Sequence, residues 1–407
     1  MKSSEWKVVK LEDVCYFGND KIETKMISLE DYISTENMLP NKGGISIASS
    51  LPSTKVVRMY EKNDVLISNI RPYFKKIWFA RKIGGASNDV LILKGRNKKI
   101  LDNKFMYYYL SQDGFFSYVT ATAKGTKMPR GDKTAIMNYK INLPTIQEQE
   151  NIVRILTSLD EKIEINNQIN KKLEEMAQTI FKHWFVDFEF PNENGEPYKS
   201  SGGEMVESEL GMIPKGWRVE SLDKVADYLN GLAMQKYRPS ENEKGIPVLK
   251  IKELRQGKTD ENSDICTENI DNQYIVRDGD IIFSWSGTLL VDVWCGGKCG
   301  LNQHLFKVTS KKFEKWFYYH WTRFYLEKFM RIAESKATTM GHIKRKDLSD
   351  SKVLIPTEIV YEKINSIMEP LLEKQINTKI QSTRLVKIRD SLLPKLMSGE
   401  IRVPVEE

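Results

Sequence analysis

Catalysis and metal binding leave characteristic spacings in a sequence, and few of them occur in this one. Cys295-Gly-Gly-Lys-Cys299, with His304 and His320 downstream, has the spacing of half a zinc site. Structural zinc needs four ligands in closed tetrahedral geometry, and the matching stretch earlier in the chain, Gly84-Gly85-Ala86-Ser87, has no cysteine. Buried or turn cysteines are the plainer reading, and no metal is assigned. Glu-x-Lys pairs of the kind nucleases use occur at Glu5/Lys7, Glu23/Lys25 and Glu334/Lys336, as chance provides in a chain that is 29% charged. There is no glycine-rich phosphate loop, no H-E-x-x-H helix, no G-x-S-x-G elbow, no Asn-Pro-Pro-Tyr loop and no glycine-rich strand-turn for S-adenosylmethionine. No catalytic residue is assigned, and no cofactor to this chain.

Cations and aromatics in turn-rich segments stand out instead. Arg71, Lys75, Lys76, Arg81 and Lys82 surround Trp78 and Phe79, and Lys124, Lys127, Arg130 and Lys133 follow. Further along come Lys250, Lys252 and Arg255, then Lys336, His342, Lys344, Arg345 and Lys346. Arg and Lys on loops hold phosphates, while Arg, Asn, Gln and His side chains read base edges. The polar residues of the same turns, Asn69, Asn88, Thr126, Ser286, Thr288, Gln303, His304, Thr338 and Thr339, complete a candidate DNA-contacting set. A merely solvated surface is the competing account of any charge run. Against it, the loops AKGTKMPRGDK (123–133) and SKATTMGHIKRKD (335–347) occupy corresponding places in two halves of the chain.

The chain is written twice. SSEWKVVKLEDV and GMIPKGWRVESLDKV align Trp6 with Trp217, Leu11 with Leu222 and Val14 with Val225. In the same order, NDVLISNIRP answers DGDIIFSWSG, SNDVLIL answers LNQHLFKV, KFMYYYL answers KWFYYHW, and INLPT answers VLIPT. A repeat this long means duplicated domains, since solenoid repeats run about 20–50 residues. After Pro144 and Pro356 the pattern turns from strand-like to helical. Ile152, Leu156, Leu159, Ile163, Leu173, Ile180 and Trp184 recur at three- to four-residue steps, as do Ile364, Met368, Leu371, Leu385, Ile388 and Leu392.

The predicted organisation is therefore α+β. Residues 1–145 and 211–356 form two globular mixed α/β domains, separated by long helices over 146–190 and 357–400, with a linker over 191–210. A forty-residue helix reaches roughly 60 Å, well beyond a globule with a radius of gyration near 15 Å, so the helices are expected to pair as an antiparallel coiled coil rather than dock wholly on their own globules. Asn166, Asn170, Thr378 and Gln381 interrupt the stripes as buried register-setting amides or as solvated ones. Pro370 and Pro394 are expected to restart or kink the second helix.

Bulk properties agree with a cytosolic partner of nucleic acid. The chain has 407 residues, is 40% hydrophobic, and carries 62 basic against 55 acidic residues for a net charge of +7, which permits DNA binding without requiring it. Four cysteines are too few for a disulfide framework, and neither a membrane span nor a secretory leader is read, so the expected location is the cytoplasm.

With these parts in view, the sequence resembles the specificity subunit of type I restriction-modification systems over nearly its whole length. VESELGMIPKGW (206–217) is similar to the family's entry into its second recognition domain, LPTIQEQENIVRILTSLDEKIEINNQINKKLEEMAQTIFKHWFVDFEF (143–190) to its central helical region, and NIRPYFKKIW and WSGT with NQHLF to core recognition segments. The resemblance implies a non-catalytic subunit related to itself by an approximate two-fold. Two target-recognition domains each read one half of a split, asymmetric double-stranded DNA site, and the helices carry two methyltransferase subunits. Those partners would supply S-adenosylmethionine, and further motor-nuclease restriction subunits would use ATP and Mg. A scaffold that binds DNA through charge alone is the alternative, and a chain that itself modifies DNA comes third.

Overall fold

The runs Val65–Ile67 and Val90–Leu93, within strands Val65–Ser68 and Val90–Gly95, are apolar at every step, which calls for strands covered on both faces. The computed structural model describes residues 6–335 and 341–403, and its chain divides into two units, Met1–Glu161 with Val386–Glu407, and Lys162–Leu385. In the first unit those strands are the centre of an antiparallel sheet ordered Cys15–Phe17, Val90–Gly95, Val65–Ser68, Ile77–Phe79. Successive side chains leave by opposite faces. Val65, Ile67, Leu91 and Leu93 pack beneath the helices Asn103–Leu110 and Asp113–Ala121, whereas Leu66, Val90 and Ile92 meet Tyr60, Ala86 and Ile33 of a second, smaller sheet.

The second unit repeats this plan. Its main sheet is ordered Asp227–Asn230, Leu305–Thr309, Ile281–Ser284, Leu290–Val293. Ile281 and Phe283 face the helical side with Trp316 and Phe317, while Ile282 faces the other side with Leu301.

The smaller sheets are related but not identical. In each, a central strand (Gly84–Ala86 or Cys299–Leu301) has one parallel neighbour (Tyr32–Ile33 or Ile246–Leu249) and one antiparallel neighbour (Val56–Tyr60 or Ile275–Val276). The fourth strand then adds to opposite edges: Lys21–Glu23 joins the antiparallel neighbour in the first unit, and Ile265–Cys266 joins the parallel one in the second. Glycine stands at the same place in both central strands because the layers leave no room. A Cβ on Gly85 would lie 2.5 Å from Val57 Cγ2, and one on Gly300 2.5 Å from Cys266 Sγ.

Two long helices, Ile146–Phe185 and Glu358–Ser398, each contribute to both units. Within each unit they run antiparallel and touch. Arg389 Nη1 is 2.9 Å from Asp160 Oδ1 in the first unit. In the second, Asn166 donates to Gln381 at 2.9 Å and Gln375 to Glu174 at 2.9 Å. The ends of the stripes also dock on globular cores: Ile152, Leu156, Leu393 and Leu396 in the first unit, Phe181, Phe185, Ile364 and Met368 in the second. Asn166, Asn170 and Thr378 are buried, while Gln381 is exposed.

Pro370 and Pro394 do not restart the second helix, which continues through both. Each costs one backbone hydrogen bond, and Met368 and Leu372 beside Pro370 and Leu393 and Leu396 beside Pro394 are anchored in cores, which favours continuing the helix. The segment after Pro191 also differs from a free linker. Asn192 Oδ1 accepts from Asn194 N and Glu196 N, both at 2.9 Å, and Phe190 stacks on Tyr198 at 4.6 Å and on Trp217 at 5.2 Å. A hairpin of Met205–Ser208 and Gly211–Pro214 follows. Among the described residues no helix is long and apolar enough to cross a membrane.

Candidate nucleic-acid interface

The matched basic loops meet the matched turns. In the first unit the residues after strand Val65–Ser68 pair with the loop before helix Lys133–Met137. Gly131 N donates to Asn69 O at 3.0 Å and Arg71 N to Pro129 O at 2.8 Å, so Arg130 lies opposite Ile70. In the second, Ile343 N donates to Trp285 O at 3.1 Å and Gly287 N to Gly341 O at 2.9 Å, so His342 lies opposite Ser286. A buried serine sets both turns, Ser68 Oγ donating to Ile70 O and Ser284 Oγ to Ser286 O, each at 3.2 Å. The two frames are the same, and the side chains on them are not.

In the first unit Arg130 reaches Asp89 at 3.2 Å, Lys124 is held by Asp132, and Thr126, Lys127 and Lys133 are exposed. Lys124 and backbone N–H groups of the following helix keep the Asp132 carboxyl below its ordinary range. Arg58 donates to the carbonyl of the exposed Asn88 at 3.2 Å. Lys75 is tied to Asp113 at 2.9 Å, and Lys76, its ammonium disfavoured by burial, donates to Thr35 O at 2.5 Å. Asn69 Oδ1 and Arg71 Nε are shut off from solvent without a partner.

In the second unit Ser286 Oγ is 3.0 Å from His304 Nδ1, and Gln303 Nε2 is 3.4 Å from His304 Nε2. Trp285, anchored to Asn230 Oδ1 at 2.9 Å, lies 6.0 Å from the His304 ring and 6.3 Å from that of His342. This is not a nucleophile with its base: Ser286 is only 3% exposed, and the far nitrogen of His304 meets an amide rather than an orienting carboxylate. Thr288 is exposed beside Gly287.

Several cations are already engaged. Lys250 is paired with Asp264, and Lys252 lies 3.3 Å from Asp260. Arg255 is exposed on the helix Ile251–Gln256, whose Ile251 Cδ1 approaches to 3.5 Å of a Cβ built on Gly287. Arg345 donates to Tyr228 O at 3.1 Å with its guanidinium 5.6 Å from the Phe306 ring centre, so its head group is anchored to the protein. Lys344 is the exposed residue before helix Arg345–Ser349. Lys336, Thr338 and Thr339 lie outside the described residues. Asp89, Arg58 and Trp285 touch candidate residues, Asp89 at Arg130, Arg58 at the Asn88 carbonyl and Trp285 at His304 and His342, and none of the three is among the residues predicted from sequence. WSGT held the signal for Trp285, and no local signal marked Asp89 or Arg58.

Cys295 and Cys299 are buried, and burial pushes the Cys295 thiol up to about 11. Their histidines go elsewhere, His304 to Ser286 and His320 to a stack on Phe181 at 5.5 Å. Among the described residues no group of three or more His, Cys, Asp or Glu side chains is placed to hold a metal.

The type I restriction enzyme MjaIX specificity subunit of Methanocaldococcus jannaschii is 28% identical to this chain, over 98% of it and 94% of the relative. The HindI specificity subunit of Haemophilus influenzae is 24% identical over 98% and 100%. The crystal structure of the type I restriction-modification S subunit from M. genitalium has the same fold, with a TM-score of 0.57 and 15% identity over 98% of this chain and 97% of that one. Residues 3–175 and again 214–383 match the model of the type I restriction modification DNA specificity domain, one match to each repeat, and the chain belongs to that family.

Proposed function

We propose that this chain is the DNA-specificity subunit of a type I restriction-modification complex, and that each unit reads one half of a bipartite, asymmetric duplex site. One observation carries the reading: a single backbone frame, turn 69–71 against 129–131 and turn 285–287 against 341–343, is used twice with different side chains. A common frame presents similar surfaces to two half-sites, and Arg130 against His342, or Arg71 against Gly287, makes those half-sites different in sequence. Recognition is this chain's work and catalysis is not.

The recognition domains are residues 1–145 and 211–356, and the helices within 146–190 and 357–400 dock two methyltransferase subunits. Those subunits bring S-adenosylmethionine and act on a flipped adenine, and restriction subunits add ATP- and Mg-dependent cleavage. The exposed Thr126, Lys127, Lys133 and Lys344 suit phosphate contact. The test is to map methylated sites made by the chain assembled with its modification subunits. A two-part motif is expected, and methylation without sequence preference would sink the proposal. Binding through charge alone is separated from it by competition between selected and random duplexes, since a charge-only scaffold prefers neither.

A further inference from the structure

Arg71 occupies a backbone position built for glycine. Its φ and ψ are 49° and 64°, in the left-handed region, and its counterpart in the repeat is Gly287 at φ 65°. Both make the same bond across the frame, Arg71 N to Pro129 O at 2.8 Å and Gly287 N to Gly341 O at 2.9 Å, so the frame itself needs no side chain here. An arginine held against its backbone preference, where the repeat has glycine, is kept for what its side chain does.

The neighbourhood leaves that side chain uncommitted. Of the half-buried cations after strand Val65–Ser68, Lys75 is paired with Asp113 and Lys76 with Thr35 O, whereas Arg71 has no acceptor among the described residues. Its Nε is closed off from solvent, and two residues earlier the Asn69 Oδ1 is also closed off and unpaired. Arg130, one position across the frame, is partly neutralised by Asp89 at 3.2 Å. Phosphate contact does not require a strained, half-buried stem, since the exposed Lys127 and Lys133 are better placed for it.

We infer that Arg71 is a specificity-determining residue of the first unit, its guanidinium fork reading the O6 and N7 acceptors of a guanine in that unit's half-site. The inference rests on the proposed reading of DNA by this frame. The experiment is Arg71→Gly in the full chain assembled with its modification subunits, with bound duplexes selected from a randomised pool and sequenced. Glycine is the residue the repeat already uses, so the melting temperature should stay within about 4 °C of wild type. Arg71→Asn, which tolerates the same backbone, is the second variant.

The wild type should select a two-part motif with guanine at one position of the first half. In both variants that guanine should become degenerate, with discrimination lost on the order of 5- to 150-fold and the other half-site unchanged. An unchanged motif, a uniform loss of affinity on all duplexes, or a change confined to the other half would overturn the inference while leaving the general reading in place. A wild type that selects no motif would overturn both.

Discussion

Arg130 and His342 hold one position of a repeated frame, Arg130 opposite Ile70 and His342 opposite Ser286, each paired across the turn that follows a buried strand. One is a permanent cation leaning on a carboxylate, and the other is an imidazole beside Trp285. Arg130→Ala should therefore affect only the first half-site and His342→Ala only the second. A base-reading side chain should cost about 1–3 kcal/mol on the cognate site alone, whereas a phosphate contact should weaken all duplexes and flatten the salt slope by about one. Lys344→Ala, at an exposed position, should behave in the second way. Titrations of cognate and random duplexes at several salt concentrations decide, and wild-type curves for all three variants would place these loops away from DNA.

Asp89 gives this prediction a second arm. Removing Arg130 uncovers a half-buried carboxylate in the surface proposed above to face DNA. Arg130→Ala should thus lose more affinity than Arg130→Ala with Asp89→Asn, the double variant recovering roughly 0.5–1 kcal/mol. Equal affinities would mean that Asp89 does not face the ligand.

How much of this was legible in the sequence varies by element. NDVLIS and GDIIFS announced the duplicated strands because a fully buried strand writes an unbroken apolar run, and the frame behind them recurred in the same order. The state of each cation was not legible. Lys250 meets Asp264 and Arg345 covers Phe306, partners many residues away that local charge counting cannot pair. Composition marks the segment after Pro191 as linker-like but does not show its internal order, in which Asn192 closes a turn with its side chain and Phe190 stacks on Tyr198 and on Trp217. The prolines did not restart the helix for a related reason: local geometry disfavours them there, and anchors in the cores on either side keep Glu358–Ser398 continuous.

The polar middle of the helices makes its own prediction. Asn166, 1% exposed, spends its amide on Gln381, whereas the buried Asn170 Oδ1 has no partner. An unpaired buried carbonyl costs about 1–3 kcal/mol. Asn170→Leu should stabilise the chain by about 1 kcal/mol in denaturant unfolding, and Asn166→Ala should destabilise it by a similar amount. Destabilisation by Asn170→Leu would show that Asn170 sets register at a net gain.

Glu148 ties the ends of the first unit together. Its Oε1 accepts from Arg402 Nε at 3.1 Å and from Trp6 Nε1 at 3.5 Å, with the guanidinium 5.1 Å from the Trp6 ring centre. Burial would raise this carboxyl, but Arg402 and the Thr145 N–H hold it below its ordinary range. Glu148→Gln should cost about 2 kcal/mol at neutral pH, because it weakens charge-assisted bonds in a largely buried site. The loss should appear as a lower unfolding midpoint, and an unchanged midpoint would reduce the cluster to a surface ion pair.

His320 predicts how the second unit responds to acid. It is enclosed between Phe181, at 5.5 Å, and Tyr319, at 5.0 Å, beside a network in which Arg323 lies 3.0 Å from Glu174 and Gln375 donates to Glu174 at 2.9 Å. Burial disfavours the imidazolium and brings His320 down to about 4, against the pull of Glu174. Burial would raise Glu174, but Arg323 and hydrogen bonds from Gln178 and Gln375 keep it ionised below its ordinary range. The sign follows from which state binds the proton. Below the ordinary histidine value near 6.5, the unfolded chain takes up a proton that the folded chain refuses until about pH 4, so stability is full above that window and lost through it. Glu174 contributes its loss only at lower pH. At pH 5.5 the His320 share should be about 1 kcal/mol. His320→Gln, lacking the ring stack, should melt lower than wild type at pH 7.5 but fall less steeply towards pH 5.5, so the two curves converge. Melting temperatures that stay parallel across that range would show that His320 accepts its proton as freely in the folded chain as in the unfolded one.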